Sequence, residues 1–376
     1  MRKGEQDNRL LEELFQYFHT HPETSWEEVN TTEYIKGFFN SYGCEVNTFD
    51  DCTGLTADIG QGKPIIALRA DIDALWQDLD GKFRANHSCG HDAHMTIALG
   101  VFLKLIEDKE QLKGTVRFIF QPAEEKGTGA LKFVEKGIVD DVDYLYGMHL
   151  RPVQELADGE FSSAISHGAA RFVSGIIEGV DAHGARPHLN TNAIQVGAEL
   201  VQAMNNMHFD PSIAHSMKMT SFHAGGKSTN IIPEKATFSL DLRAQQNELI
   251  EEMMERLERT VKSLSDYHQI SIKIEVDAFM QAAIINEHAR GLMEGAIYET
   301  QGAQSLRPVV ITTGGDDFHF YTIKRPELKA SMLAIGCDLK PGLHHPWMTF
   351  NQKIIPDAVK VLTKVIENTI LRSRQR

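Results

Sequence analysis

Six consecutive residues constrain this 376-residue chain more than any other stretch: Cys89-Gly90-His91-Asp92-Ala93-His94. They carry a thiol, two imidazoles and a carboxylate, the side chains that bind transition metals. Cys89 and His91 stand two apart, so a regular helix would point them to different faces. With Gly90 between them, a loop or a first helical turn can aim both at one ion. The apolar run from Met95 to Ile106 reads as a buried helix. The cluster therefore belongs where a strand or loop feeds a helix, at the rim of a core. A buried Cys or a lone His is ordinarily structural, but four ligand-type residues in six positions favour a metal site. No second Cys/His pair lies at finger spacing, which favours a site with ligands gathered from distant segments, as in many catalytic sites, over a zinc finger.

The length suits two domains, one large and one small. A hydrophobic content of 42% with 24% charged residues is that of an ordinary globular enzyme. The net charge of −14 argues against nucleic acid as a partner, because phosphate binding needs clustered Lys and Arg. No apolar run approaches the length of a membrane span, and no signal-type stretch follows Met1. A cytoplasmic setting is expected, with Cys44, Cys52, Cys89 and Cys337 as free thiols.

Periodicity predicts helices over 7–20, 26–41 and 93–107, and strands over 65–70, 115–120 and 143–149. This β-α-β pattern implies an α/β fold, a sheet with helices on both faces. Between 171 and 277 the order changes to strand, helix, strand, strand, helix, strand, which matches a ferredoxin-like α+β unit. The expected division is a catalytic domain over 1–168 and 282–376, with an inserted domain over 169–281. Helices over 287–301 and 354–372 complete the chain.

Further candidate groups stand at predicted strand ends, where sites assemble in open α/β sheets. Phe120-Gln-Pro-Ala-Glu124-Glu125 offers adjacent carboxylates, one to bind metal and one to move a proton. Read blandly, it is a solvated acidic turn. Gly147-Met148-His149 and Gly342-Leu-His344-His345-Pro346 add imidazoles that could equally be structural. Two metals sharing such ligands would suit hydrolysis by an activated water.

RADIDAL (69–75), CGHDAH (89–94), FQPAEE (120–125), GMH (147–149), HGARPH (183–188), GGDDFHFY (314–321) and LHHP (343–346) occur in order. Together the chain resembles the metallo-amidohydrolases that include aminoacylases, hippurate hydrolases and auxin-conjugate hydrolases, relatives of the zinc carboxypeptidase/dipeptidase clan. The likeness runs from about residue 10 to 372. It implies a mixed-sheet catalytic domain holding two divalent ions (Zn, Mn, Co or Ni) plus an inserted lid or dimerisation domain. By position, Cys89, His91, Glu125, His149 and His344 resemble the metal ligands, with His344 preferred over His345 by the Leu-His-x-Pro pattern. Glu124 resembles the general base, and Asp73 the acid that orients a ligand. His94 is read as a supporting group.

In the inserted domain His183 resembles the histidine that polarises the scissile carbonyl, in some members from a partner subunit of a homodimer. His188 would line the same pocket. Asn230 and Arg243 resemble the groups that hold a substrate carboxylate. A strand-end surface charge is the bland reading of Arg243. The chain departs from the family pattern at Trp76, where Pro is usual, and at Gly-Asp-Asp over 315–317, where Ser-Glu-Asp is common. The implied activity is metal-dependent hydrolysis of the amide of a small-molecule N-acyl amino acid. The alternatives are a dipeptidase or carboxypeptidase, and a metal-containing binding protein without turnover.

Overall fold

Four apolar segments set the centre of the first of two compact units. The computed structural model describes residues 3–373. The first unit takes the chain up to Ser166, then Ile284–Ile311 and the chain from Asp317 onward; the second takes His167–Ala283 and Thr312–Asp316. That last short segment extends the second unit beyond the single insertion read from the strand and helix pattern.

In the first unit an eight-stranded sheet runs in the order Val46–Thr48, Leu55–Gly60, Thr115–Gln121, Ile65–Asp71, Tyr144–Pro152, Lys329–Leu339, Phe161–Ser162 and Leu306–Arg307. The four central strands, from Thr115–Gln121 to Lys329–Leu339, are parallel. Antiparallel pairings flank them. Tyr144–Leu150 is buried without alternation, as both faces of a covered parallel strand require. Tyr146, Met148 and Leu150 join the core that holds the helices Lys3–Thr20, His91–Ile106 and Ile355–Ser373. On the other face the Phe318 ring crosses Gly147, where a Cβ would sit 2.9 Å from Phe318 Cε2.

The helix His91–Ile106 buries all but three of its 16 residues, so it needs no amphipathic stripe. It begins two residues earlier than periodicity predicts, which makes His91 a helical residue. Gly90 precedes it at φ +89°, a left-handed turn that glycine adopts without strain. The helix Val29–Ser41 begins later than predicted, after Glu28. The strand Lys329–Leu339, overlooked by the sequence reading, lies inside the sheet.

The second unit is a four-stranded antiparallel sheet ordered His215–Ala224, Lys235–Ala244, Ala169–Glu178, Ser271–Met280. With the helices Ala193–Asn205 and Asn247–His268 it forms the ferredoxin-like arrangement. Its own core gathers Val173, Leu200, Phe238, Leu240, Ile250 and Leu257. Among the described residues no helix is long and apolar enough to cross a membrane.

Candidate metal centre

The carboxyl ends of the four parallel strands converge on one place, as the geometry of open α/β sheets favours. Asp73 follows the Ile65–Asp71 strand, and Glu124 and Glu125 follow Thr115–Gln121. His149 lies near the end of Tyr144–Pro152, and His344 follows Lys329–Leu339. Cys89 and His91 enter from the start of the His91–Ile106 helix.

Side-chain ligand atoms fall into overlapping groups that could hold an ion: Cys89, His91 and His149; Cys89, Glu125 and His344; and His91, Glu124 and Glu125. Cys89 Sγ lies 3.6 Å from His149 Nε2 and 3.3 Å from His344 Nε2. Glu125 Oε2 is 3.4 Å from His344 Nε2, and Glu125 Oε1 is 3.9 Å from His91 Nε2. All five residues assigned as ligands by resemblance are thus brought together.

Hydrogen bonds prepare the imidazoles. His91 Nδ1 faces two acceptors, the Asp73 carbonyl at 2.8 Å and Asp73 Oδ1 at 3.2 Å, so it donates and turns Nε2 toward the site. His149 Nδ1 donates to the Leu150 carbonyl at 2.7 Å, which turns Nε2 toward Cys89. His94 differs: it meets Asp71 Oδ1 through Nδ1 at 2.7 Å and accepts the Leu150 N–H at Nε2. Both of its nitrogens are thus engaged in hydrogen bonds.

Asp73 is wholly buried and receives Ser25 Oγ at 2.6 Å and the Glu125 N–H at 3.0 Å. Burial alone would raise its carboxyl, yet His91 and these donors bring it below its ordinary range. Burial pushes the Cys89 thiol well above its ordinary range, Glu125 adds to that, and His91 opposes it. His91 is pulled well above its usual value: burial works against the charge, but Asp71 and Cys89 outweigh it.

Two backbone positions beside the site are strained. Ala123, before Glu124, sits at φ +52°, and His344 at φ +62°. A left-handed conformation costs a residue with a Cβ roughly 1–2 kcal/mol. At Ala123 the N–H is held by Glu28 Oε1 at 2.9 Å, while Thr53 donates to Glu28 Oε2 at 2.6 Å.

Behind the ligands lies a polar network that the sequence reading missed. Arg69, fully buried, donates to Gln121 Oε1 at 3.0 Å, Asp71 Oδ2 at 2.5 Å and Asp317 Oδ1 at 2.8 Å. Asp317 also accepts from Gln121 Nε2 and from the Ala130 N–H. An arginine in the apolar run Ile65–Ala70 was its signal, since a buried charge must be paired. Glu28, also unread, is wholly buried and lifted to about 7, chiefly by burial.

The residues expected on the second unit form no comparable nest. His183 and His188 are exposed, as is Asn230. A two-residue ladder pairs His183 with Ile231, and Gly184 N–H bonds the Asn230 carbonyl at 2.7 Å, so His183 and Asn230 share one loop pair. Arg243 stands on the four-stranded sheet with its guanidinium on Asp241, at 2.7 and 3.2 Å, and over the Phe172 ring. His188 borders a cleft with Glu178, Asn190 and His268.

Comparison with known proteins gives consistent results. The signature described as peptidase family M20/M25/M40 matches residues 67–368. An N-acetyl-L-cysteine deacetylase of Bacillus subtilis is 30% identical over 356 residues, covering 90% of this chain and 83% of the relative. An IAA-amino acid hydrolase (ILR1-like 4) of Arabidopsis thaliana is 26% identical, covering 90% of this chain and 80% of the relative. Among solved structures, the YXEP protein of Bacillus subtilis, a dinuclear metal-binding peptidase, superposes with a TM-score of 0.81 at 25% identity, covering 98% of this chain and 99% of that one.

Proposed function

Because this chain belongs to peptidase family M20/M25/M40, we propose that it hydrolyses the amide bond of N-acyl amino acids with two divalent ions held by Cys89, His91, Glu125, His149 and His344. The observation that carries this reading is the pair of ligand groups sharing Cys89 at the ends of the parallel strands. The residues fit a cation. His91 Nε2 and Glu125 Oε1 are buried without a hydrogen-bond partner, which costs about 1–3 kcal/mol per group unless something positive faces them. The sulfur, nitrogen and oxygen donors suit Zn, Mn, Co or Ni.

Bound there, the ions would supply Lewis acidity to the scissile carbonyl and to the attacking water. Glu124 takes the proton from that water as the new C–O bond forms, and passes it to the amine as the C–N bond breaks. Its Oε1 accepts the Asp317 N–H at 3.4 Å and its Oε2 lies 3.9 Å from His91 Nε2, so it borders the ligands. Asp73 keeps His91 in its ligating tautomer. His183 is assigned the oxyanion. Its Nδ1 accepts the Ala185 N–H at 3.0 Å, so the neutral ring carries its proton on Nε2 and can donate. A homodimer in which His183 serves the partner's site is part of the proposal. Asn230 and Arg243 are assigned the substrate carboxylate, and His188 the same pocket. Four unpaired cysteines suit a reducing compartment such as the cytoplasm.

The peptidase names of the family and of the YXEP protein favour a second reading, cleavage of small peptides. Turnover of N-acetyl- and N-benzoyl-amino acids should be compared with that of dipeptides, with Zn, Mn, Co or Ni added. Preference for the acylated amino acids is expected. Preference for dipeptides transfers the assignment to the second reading, and hydrolysis of neither overturns both.

A further inference from the structure

The loop that carries His344 is clamped by a hairpin with no assigned role. Leu75–Leu79 and Lys82–Asn86 pair antiparallel around Asp80-Gly81, both at positive φ. Alternation puts Trp76 and Asp78 on the exposed face and Gln77 on the other. The Gln77 carboxamide is satisfied on both sides. Its Nε2 donates to the His344 carbonyl at 2.8 Å, and its Oε1 accepts from Ser88 Oγ at 2.8 Å and Asn86 Nδ2 at 3.0 Å. The His344 N–H bonds the Ser88 carbonyl at 2.8 Å. Asn86 Nδ2 also donates to the Pro346 carbonyl at 3.0 Å.

We propose that Gln77 is a positioning residue, whose carboxamide holds the strained His344 backbone against the segment that carries Cys89. The inference rests on the reading of His344 as a metal ligand. His344 has a half-exposed side chain and a left-handed backbone, so little packing fixes its imidazole. Both of its backbone polar groups are instead tied, one to Ser88 and one to Gln77. Ser88 directly precedes Cys89. Two ligands 255 residues apart are thereby registered to each other through one amide side chain. Groups that orient a ligand tune metal affinity without touching the ion.

Cobalt(II) titration of the purified protein, followed by its visible d–d and sulfur-to-cobalt bands, tests this. Wild type should bind two equivalents. Gln77→Leu should bind one of them about 10–100-fold more weakly, with an altered spectrum. Its metal-free melting temperature should match that of Asp78→Asn, the control on the exposed face. Two equivalents with wild-type affinity and spectrum in Gln77→Leu would overturn the proposal. Should Gln77→Leu not fold, Ser88→Ala removes one donor only; a smaller weakening of the same equivalent is expected, and unchanged affinity overturns the proposal. His344→Ala separates the two levels. If it keeps both equivalents, the ligand reading itself fails; if it loses one while Gln77→Leu loses none, only the role of Gln77 fails.

Discussion

The candidate residues of the two units differ in how they are held. In the first unit Asp73, His91, Glu124 and His149 are buried, and Asp73, His91 and His149 are oriented by hydrogen bonds at or below 3.2 Å. In the second, His183, His188 and Asn230 are exposed, and Arg243 is occupied by Asp241. A buried group pays for its desolvation only if its neighbours satisfy it, so the first set is pre-organised within its own unit. The second set has no comparable environment within its own unit. The first set should therefore govern metal retention and chemistry, and the second substrate affinity and transition-state contacts.

The sharpest way to break this contrast is at Glu124. Glu124→Gln should lower kcat about 10²–10⁴-fold while metal content stays at the wild-type value. Turnover near wild type would remove Glu124 from the chemistry. His183→Ala should cost about 10²–10³-fold in kcat with both metals retained. Loss of metal in that variant would erase the distinction between the units.

Glu28 tests the first unit's rigidity by stability. Burial lifts its folded value to about 7, above the ordinary 4.5 of a solvated glutamate, so the native state binds the proton more tightly than the unfolded chain. The associated stability is fully present below about pH 4.5 and is lost as pH rises through 7. Denaturant unfolding at pH 5 and pH 8 should show wild type losing up to about 3 kcal/mol more than Glu28→Gln. Equal losses would show that Glu28 ionises freely. The smallest effect is expected at Arg243. Arg243→Lys should raise KM several-fold at constant kcat, because an ammonium cannot match a carboxylate fork. An unchanged KM would leave Arg243 as the partner of Asp241 alone.

Much of the first unit was legible because its signals are local. The apolar runs at 65–70 and 115–120 became parallel strands, and the run after Cys89 became a helix buried on every side. The inserted β-α-β-β-α-β order was legible for the same reason, since each segment keeps its own period. What escaped was set by distance. Arg69 meets Asp317, 248 residues away, and Gln77 meets His344, 267 away. No local pattern encodes such pairings. Some cues were present and unread: Asp80-Gly81 is a two-residue hairpin turn, and Ala330–Cys337 is an unbroken buried run.

Five residues from separate segments are proposed to hold two divalent ions, with Cys89 in reach of both. Crystals of the metal-loaded protein, measured at the absorption edge of the bound metal, test this arrangement directly. Two anomalous peaks are expected, with Cys89 Sγ about 2.3 Å from at least one and His91, Glu125, His149 and His344 atoms about 2.0–2.2 Å from their ions. A single peak, or two peaks with Cys89 bound to neither, would contradict it.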